Sequence, residues 1–261
     1  MLQGKGLMTG RILIADGTAD HRIALRAMLG AARYVVETAD NADDALEAAR
    51  GGQIDLILAD PALSMGASRP LVACLRTDPR TARIPVIVLT SPAGAATDRI
   101  AALRTGADDV TPRPGAAAAL LARIRSHLRA ADMTEALGQR DATLRGLGLA
   151  EPIDEFRAAA RIALIAHDTA RVEQWRSRLA PHIPHPLTAY GIRDALSEAD
   201  RKIAADLFVI EAQYAHPSEA LRMLADLRAR PRTRHAAIVL VHEDGDVETA
   251  TNALDMGASD L

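Results

Sequence analysis

The chain has 261 residues, 49% of them hydrophobic and 25% charged, which is enough for two domains of ordinary size. A formal net charge of -3 argues against a general nucleic-acid or anionic-membrane surface, and aromatic residues at 2% leave few stacking platforms. The single cysteine, Cys74, excludes an intramolecular disulfide and fits a reducing cytoplasm, and no apolar run approaches the roughly 20 residues that span a bilayer. The first ten residues lack the apolar core of a signal peptide.

In chain order, short aliphatic runs alternate with helical patterns. Strands are predicted at Ile12–Ala15, Tyr34–Thr38, Leu56–Ala59, Val86–Leu89 and Asp109–Thr111. Runs of this kind without polar alternation mark strands buried on both faces, hence a parallel sheet. The first helix is predicted from about Asp20 to Leu29, with Gly30 as its stop signal. Asn41 is placed to cap the second, whose first turn carries Asp43 and Asp44 at the positive end of the helix dipole. Cys74 falls on the helix after Leu56–Ala59 and reads as a small core residue. The basic residues Arg76, Arg80 and Arg83 read as a solvated edge. Helices four and five are expected at Thr97–Leu103 and Gly115–Arg129, the fifth with Leu121, Ile124 and Leu128 along one face. Residues from Ala131 to Phe156 form a helical extension and then a linker.

The pattern then repeats. Asp55-Leu56-Ile57-Leu58-Ala59-Asp60 returns as Asp206-Leu207-Phe208-Val209-Ile210-Glu211, an offset of 151 residues. Pro79-Arg80-Thr81 returns as Pro231-Arg232-Thr233, and Gly106-Ala107-Asp108-Asp109 as Gly257-Ala258-Ser259-Asp260. Landmarks in one order at one near-constant offset indicate a duplicated domain. Further strands are predicted at Ile162–Ile165, Leu187–Tyr190, Leu207–Ile210 and Ile238–Val241, with helices starting near Thr169, Ile192, Pro217 and Asp246. The expected fold class is α/β: two doubly wound units with central five-stranded parallel sheets, the second truncated before its last strand and helix. The expected domains are residues 9–130, 131–158 (extension and linker) and 159–261.

In such sheets function sits at the carboxyl ends of the strands. In the first copy the residues closing the strands are Asp16, Asp60, Thr90 and Arg113. Together with the surrounding runs Ile12–Asp16, Asp55–Asp60, Ile84–Thr90 and Gly106–Pro114, this set resembles the flavodoxin-like (CheY-like) receiver domains of bacterial two-component response regulators, end to end across the first copy. The resemblance implies that Asp60 is the phosphoacceptor, with Thr90 and Arg113 acting on the phosphoryl group. It also implies Mg²⁺ held by Asp16, Asp60 and the Ala62 backbone carbonyl. Gly17 stands where a second acid usually follows Asp16, so a weakened metal site is expected. Arg113 stands where lysine is usual, and Val110 where an aromatic switch residue is common.

The positions matching Asp16, Gly17, Asp60 and Thr90 in the second copy hold Ala166, His167, Glu211 and His242. A degenerate adaptor without phosphotransfer is expected there. Binding of zinc by His167, Glu211 and His242, with His216, is the sharper alternative, and histidines filling a degenerate site the simpler one. An intact receiver followed by a degenerate one resembles the input half of PleD-type diguanylate cyclase regulators. That resemblance implies a cytoplasmic homodimer, a sensor histidine kinase or phosphotransfer protein as partner, and regulation of a cyclase domain. No Gly-Gly-Asp/Glu-Glu-Phe run, Gly-rich phosphate loop or Ser/His/Asp arrangement occurs in the chain, so no enzyme activity is expected of it as given.

Overall fold

Aliphatic runs of four to six residues can bury both faces only when helices cover them on each side, and this is what the chain builds. The computed structural model describes residues 10–66, 69–91, 96–113, 117–146, 159–198, 205–213, 217–242 and 246–261. It divides into two compact units, residues 1–132 and 133–261.

The first unit runs β1 (Arg11–Ala15), α1 (Ala19–Ala31), β2 (Val35–Ala39), α2 (Ala42–Arg50) and β3 (Leu56–Ala59). A short antiparallel pair follows, β4 (Ser64–Met65) with β5 (Arg69–Pro70), and leads into α3 (Leu71–Thr77). Then come β6 (Val86–Thr90), α4 (Ala96–Arg104), β7 (Asp109–Pro112) and the start of α5 (Ala117–Gly146), a helix that continues past residue 132. The five main strands are parallel in the order β2-β1-β3-β6-β7. Alternate strand residues feed opposite cores. Leu13, Ile57, Val86 and Val88 pack with α2 and α3, while Ile12, Ile14, Leu56, Leu58 and Ile87 pack with Leu29 of α1 and with Leu120 and Ile124 of α5. Cys74 is buried in the first of these layers and Val110 lies beside it.

The second unit runs β8 (Ile162–Ala166), α6 (Thr169–Leu179), β9 (Leu187–Gly191), α7 (Ile192–Glu198) and β10 (Leu207–Ala212). It closes with α8 (Pro217–Ala229), β11 (Ala237–His242) and α9 (Val247–Asp255). Its parallel sheet has four strands in the order β11-β10-β8-β9. A single parallel bridge, Val239 to Asp260, stands where Ile87 pairs with Asp109 in the first unit. No helix is long and apolar enough to cross a membrane among the described residues.

Two local expectations are corrected. Gly30 does not end α1, which runs through Ala31. The stop lies at Arg33, in the left-handed region at φ 67. There the Arg33 N–H donates to the Gly30 carbonyl (3.0 Å) and the Tyr34 N–H to the Leu29 carbonyl (3.1 Å). That is a Schellman closure with arginine where glycine is usual. Burial of Leu29 and Tyr34 on the same core sets the stop. Arg76 is not part of a solvated edge. It is half-buried, and its guanidinium is spent on the backbone carbonyls of Gly106, Ala82 and Ile84. The predicted cap is present: Asn41 Oδ1 accepts from the Asp44 N–H at 2.9 Å. The linker (residues 147–155), the first two residues of predicted helix five, and His216 lie outside the described residues.

Candidate functional site

Parallel pairing of β1 with both neighbours brings the strand-end aspartates together. Ala15 lies opposite Ala59 in the register, and the ladder continues one residue further: the Asp60 N–H donates to the Ala15 carbonyl (2.8 Å) and the Asp16 N–H to the Ala39 carbonyl (3.1 Å). Asp16 is 1% exposed. Each carboxylate uses one oxygen to close its own loop two residues on. Asp16 Oδ1 accepts from the Thr18 N–H and Asp60 Oδ1 from the Ala62 N–H, both at 2.8 Å. These Asx turns fix the carboxylates without using their second oxygens.

Those second oxygens face Arg113, delivered by the end of β7, whose backbone N–H donates to the Thr90 carbonyl at 2.7 Å. The Arg113 fork is divided. Nη1 donates to Asp16 Oδ2 and meets His21 Nδ1, while Nη2 donates to the Leu89 carbonyl at 2.6 Å and lies 3.5 Å from Asp60 Oδ2. A rigid planar fork can bridge both aspartates in this way, where an ammonium would act as a single point charge. Arg22 adds a bond from Nη1 to the Asp16 carbonyl oxygen at 2.7 Å. Thr90 is buried as the last residue of β6. Gly17 is open: a Cβ there would meet nothing nearer than the Asp40 carbonyl oxygen at 3.7 Å.

The structure thus brings Asp16, Asp60, Thr90, Arg113 and Ala62 to one edge, as the sequence predicts, although Ala62 presents its N–H to Asp60. It adds His21, which sequence reasoning missed. His21 Nδ1 lies 3.3 Å from the Asp16 carboxylate. Asp16, His21 and Asp60 each offer a ligand atom within 4.8 Å of the others. The place of His21 in the opening turn of α1, the helix that leaves β1, is the one local signal it carried.

In the second unit Glu211 takes the place of Asp60 and is 4% exposed. Its Oε1 is paired with Arg171 Nε of α6, and its Oε2 accepts from the His167 N–H at 3.2 Å. His167 Nδ1 turns instead to Glu219, 3.2 Å away. His167, Glu211 and His242 do not draw together as metal ligands among the described residues.

This fold and strand-end constellation define a receiver domain. A family model for the response regulator receiver domain matches residues 12–125, and the chain belongs to the response regulator family. It is 31% identical over 263 residues to Response regulator PleD of Caulobacter vibrioides, an alignment covering 97% of this chain and 55% of PleD. It is also 32% identical over 170 residues to Response regulator MprA of Mycobacterium ulcerans, covering 64% of this chain and 72% of MprA. A response regulator structure from Desulfuromonas acetoxidans is 27% identical with a TM-score of 0.43, covering 46% of this chain and 97% of that one. The chain spans about half the length of the PleD proteins it matches.

Proposed function

We propose that Asp60 accepts a phosphoryl group from a sensor histidine kinase or phosphotransfer protein in the cytoplasm, and that the chain acts as a signalling module. The observation that carries this is the division of labour at Asp60. Oδ1 is tied down by the Ala62 N–H, while Oδ2 faces the Arg113 guanidinium 3.5 Å away. In the transfer an Oδ2–P bond forms and the donor's P–N or P–O bond breaks, its electron pair leaving with the imidazole or acetate. Arg113 then follows the phosphoryl oxygens, trading one carboxylate for a richer acceptor. The Thr90 hydroxyl donates to the same group and is drawn inward, repacking the surface beside β6.

Asp16 and Asp60 offer hard carboxylate oxygens suited to Mg²⁺, with the Ala62 carbonyl as a third ligand, and an ion there would screen the repulsion between attacking and transferred anions. Gly17 supplies no ligand, so the affinity for that ion would be weak. We place the functional domains at residues 9–130 and 159–261, joined by an extension and linker at 131–158. Helices α4 and α5 are the surfaces through which phosphorylation would switch a homodimer. Ile100 and Leu103 of α4 are about half exposed, which supports α4. Identity to PleD along nearly the whole chain favours an output in which these units regulate a diguanylate cyclase.

Mass spectrometry after incubation with acetyl phosphate and Mg²⁺ tests the proposal. Wild type should gain one phosphate-sized adduct, absent from Asp60→Asn and retained in Glu211→Gln. A wild type without an adduct overturns it. That result would favour the alternative, a scaffold that works without phosphate, for which the bridge from Arg113 to both aspartates already provides a closed, internally paired site.

A further inference from the structure

We infer that the turn between α8 and β11 of the second unit is a docking surface for an acidic segment of a partner protein. It stands at the amino-terminal edge of the second sheet, away from the strand end that holds Glu211, and does not depend on phosphorylation of Asp60.

The two units build this turn on one plan and charge it differently. Arg76 clamps the first turn through the carbonyls of Ala82 and Ile84, and Arg228 clamps the second through those of Arg234 and Ala236. Counted from these arginines, Asp78, Arg80, Ala82 and Arg83 correspond to Arg230, Arg232, Arg234 and His235. The first turn satisfies its own charge, since Asp78 pairs with Arg50 at 2.6 Å and lies 3.7 Å from Arg80. The second carries three arginines and no acid between residues 230 and 236. Arg230 is partly offset by Asp226, 3.9 Å away and one turn back on α8. Arg232 and Arg234 are exposed, and neither makes an ion pair among the described residues. Arg161 and Asp206, at the adjoining strand starts, face each other at 3.8 Å and add no net charge.

The turn is also set before any partner arrives. Thr233 Oγ1 donates to the Leu227 carbonyl at 2.7 Å, and the Arg234 N–H donates to the Arg230 carbonyl at 2.9 Å. Arg234 Nε donates to His235 Nε2 at 2.8 Å, which leaves both Nη groups of that guanidinium for a carboxylate. A backbone fixed in advance has little entropy left to lose on binding.

The size of the patch selects the partner. Screening limits the reach of a surface charge to about 8 Å at physiological ionic strength. A nucleic-acid helix or an anionic membrane extends well past three arginines and meets the rest of a chain whose net charge is -3. The turn also has no aromatic side chain on which a base could stack. A short run of Asp and Glu fits within the reach of the patch, and guanidinium forks match its carboxylates.

Fluorescence anisotropy of a dye-labelled oligoglutamate peptide, titrated with the full chain, tests this. Wild type should bind, and added salt should weaken the binding. Arg232→Glu with Arg234→Glu should weaken it by at least about tenfold. Arg80→Glu with Arg83→Glu makes the same change in net charge on the matched turn of the first unit and should alter it by less than about twofold. Both pairs are exposed, so melting temperatures should stay near wild type. Arg232→Gln with Arg234→Gln removes charge without reversing it and should give an intermediate loss. No binding by wild type, or equal loss from the two charge reversals, overturns the inference. A short DNA duplex or phosphatidylglycerol vesicles binding through the same arginines more tightly than the peptide overturns it as well.

Discussion

Arg76 Nε donates to the carbonyl oxygen of Gly106 at 2.7 Å, and a Cβ on Gly106 would come within 2.7 Å of Arg76 Cγ. The same guanidinium donates from Nη1 to the Ala82 (3.0 Å) and Ile84 (2.8 Å) carbonyls and from Nη2 to Asp108. In the second unit Arg228 repeats the arrangement, donating to the Gly257 (2.8 Å), Arg234 (3.0 Å) and Ala236 (2.7 Å) carbonyls. Thr81 and Thr233 are buried beside these ties, and each hydroxyl donates at 2.7 Å to the carbonyl six residues earlier, on Leu75 and Leu227. The repeated Pro-Arg-Thr and Gly-Ala landmarks are therefore two ends of one brace, present in both units. Partial burial lowers the affinity of Arg228 for its proton without threatening its charge.

Gly106→Ala should destabilise the first unit by about 2 kcal/mol, because φ is 102 there and the new methyl meets the arginine stem. Urea unfolding of Gly106→Ala, Arg76→Ala and the double variant separates the two causes. The double variant should recover the steric part and keep the backbone strain, so simple additivity would rule out the contact.

Arg113→Gln should raise the affinity for divalent cations by about tenfold, since a competing positive charge leaves the two aspartates. Calorimetric titration with Mg²⁺ reads this directly. Unchanged affinity would mean that the guanidinium does not compete for the site.

Asp109 opens β7, is buried, and accepts from Arg123 Nη1 at 2.7 and 2.9 Å, with His127 Nε2 at 3.5 Å. Burial pushes its carboxyl pKa up, but the hydrogen bonds and charges of His127 and Arg123 outweigh this and hold it below the usual range. A folded-state value below the unfolded one stabilises above the unfolded value, and that stability is lost as pH falls through the folded value. Urea midpoints of wild type should therefore drop as pH falls below the usual carboxylate range, and Asp109→Asn should flatten the part of this drop due to the group. Arg123→Ala at neutral pH should cost about 3 kcal/mol, as it leaves a buried carboxylate short of its partner.

Arg33→Gly should stabilise the first unit by about 0.5–1 kcal/mol, since Arg33 is exposed and holds a left-handed conformation that glycine adopts freely. Thermal melts compare the two. A lower melting temperature for the glycine variant would show that the arginine side chain contributes more than its backbone costs.

The sheet and the strand-end residues were legible because doubly buried parallel strands write themselves as aliphatic runs, and the residue that ends each run is chemically distinct. Asn41 was legible for a similar local reason, since its cap acts within four residues. Gly30 misled because glycine is a propensity signal, whereas the stop at Arg33 is set by Leu29 and Tyr34 reaching the same core. Arg76 could not be read because its partners are carbonyl oxygens, which every residue carries. His21 was hidden because its approach to Asp16 depends on the turn that the Thr18 N–H makes onto that carboxylate.

The Glu211–Arg171 pair has a stoichiometric consequence. Both oxygens of that carboxylate are already engaged, one by a guanidinium and one by the His167 N–H. A divalent ion or phosphoryl donor at that strand end must first displace Arg171, and Ala166 stands there in the place of Asp16. Titrations of the whole chain against either ligand should therefore reach their strand-end plateau at one equivalent.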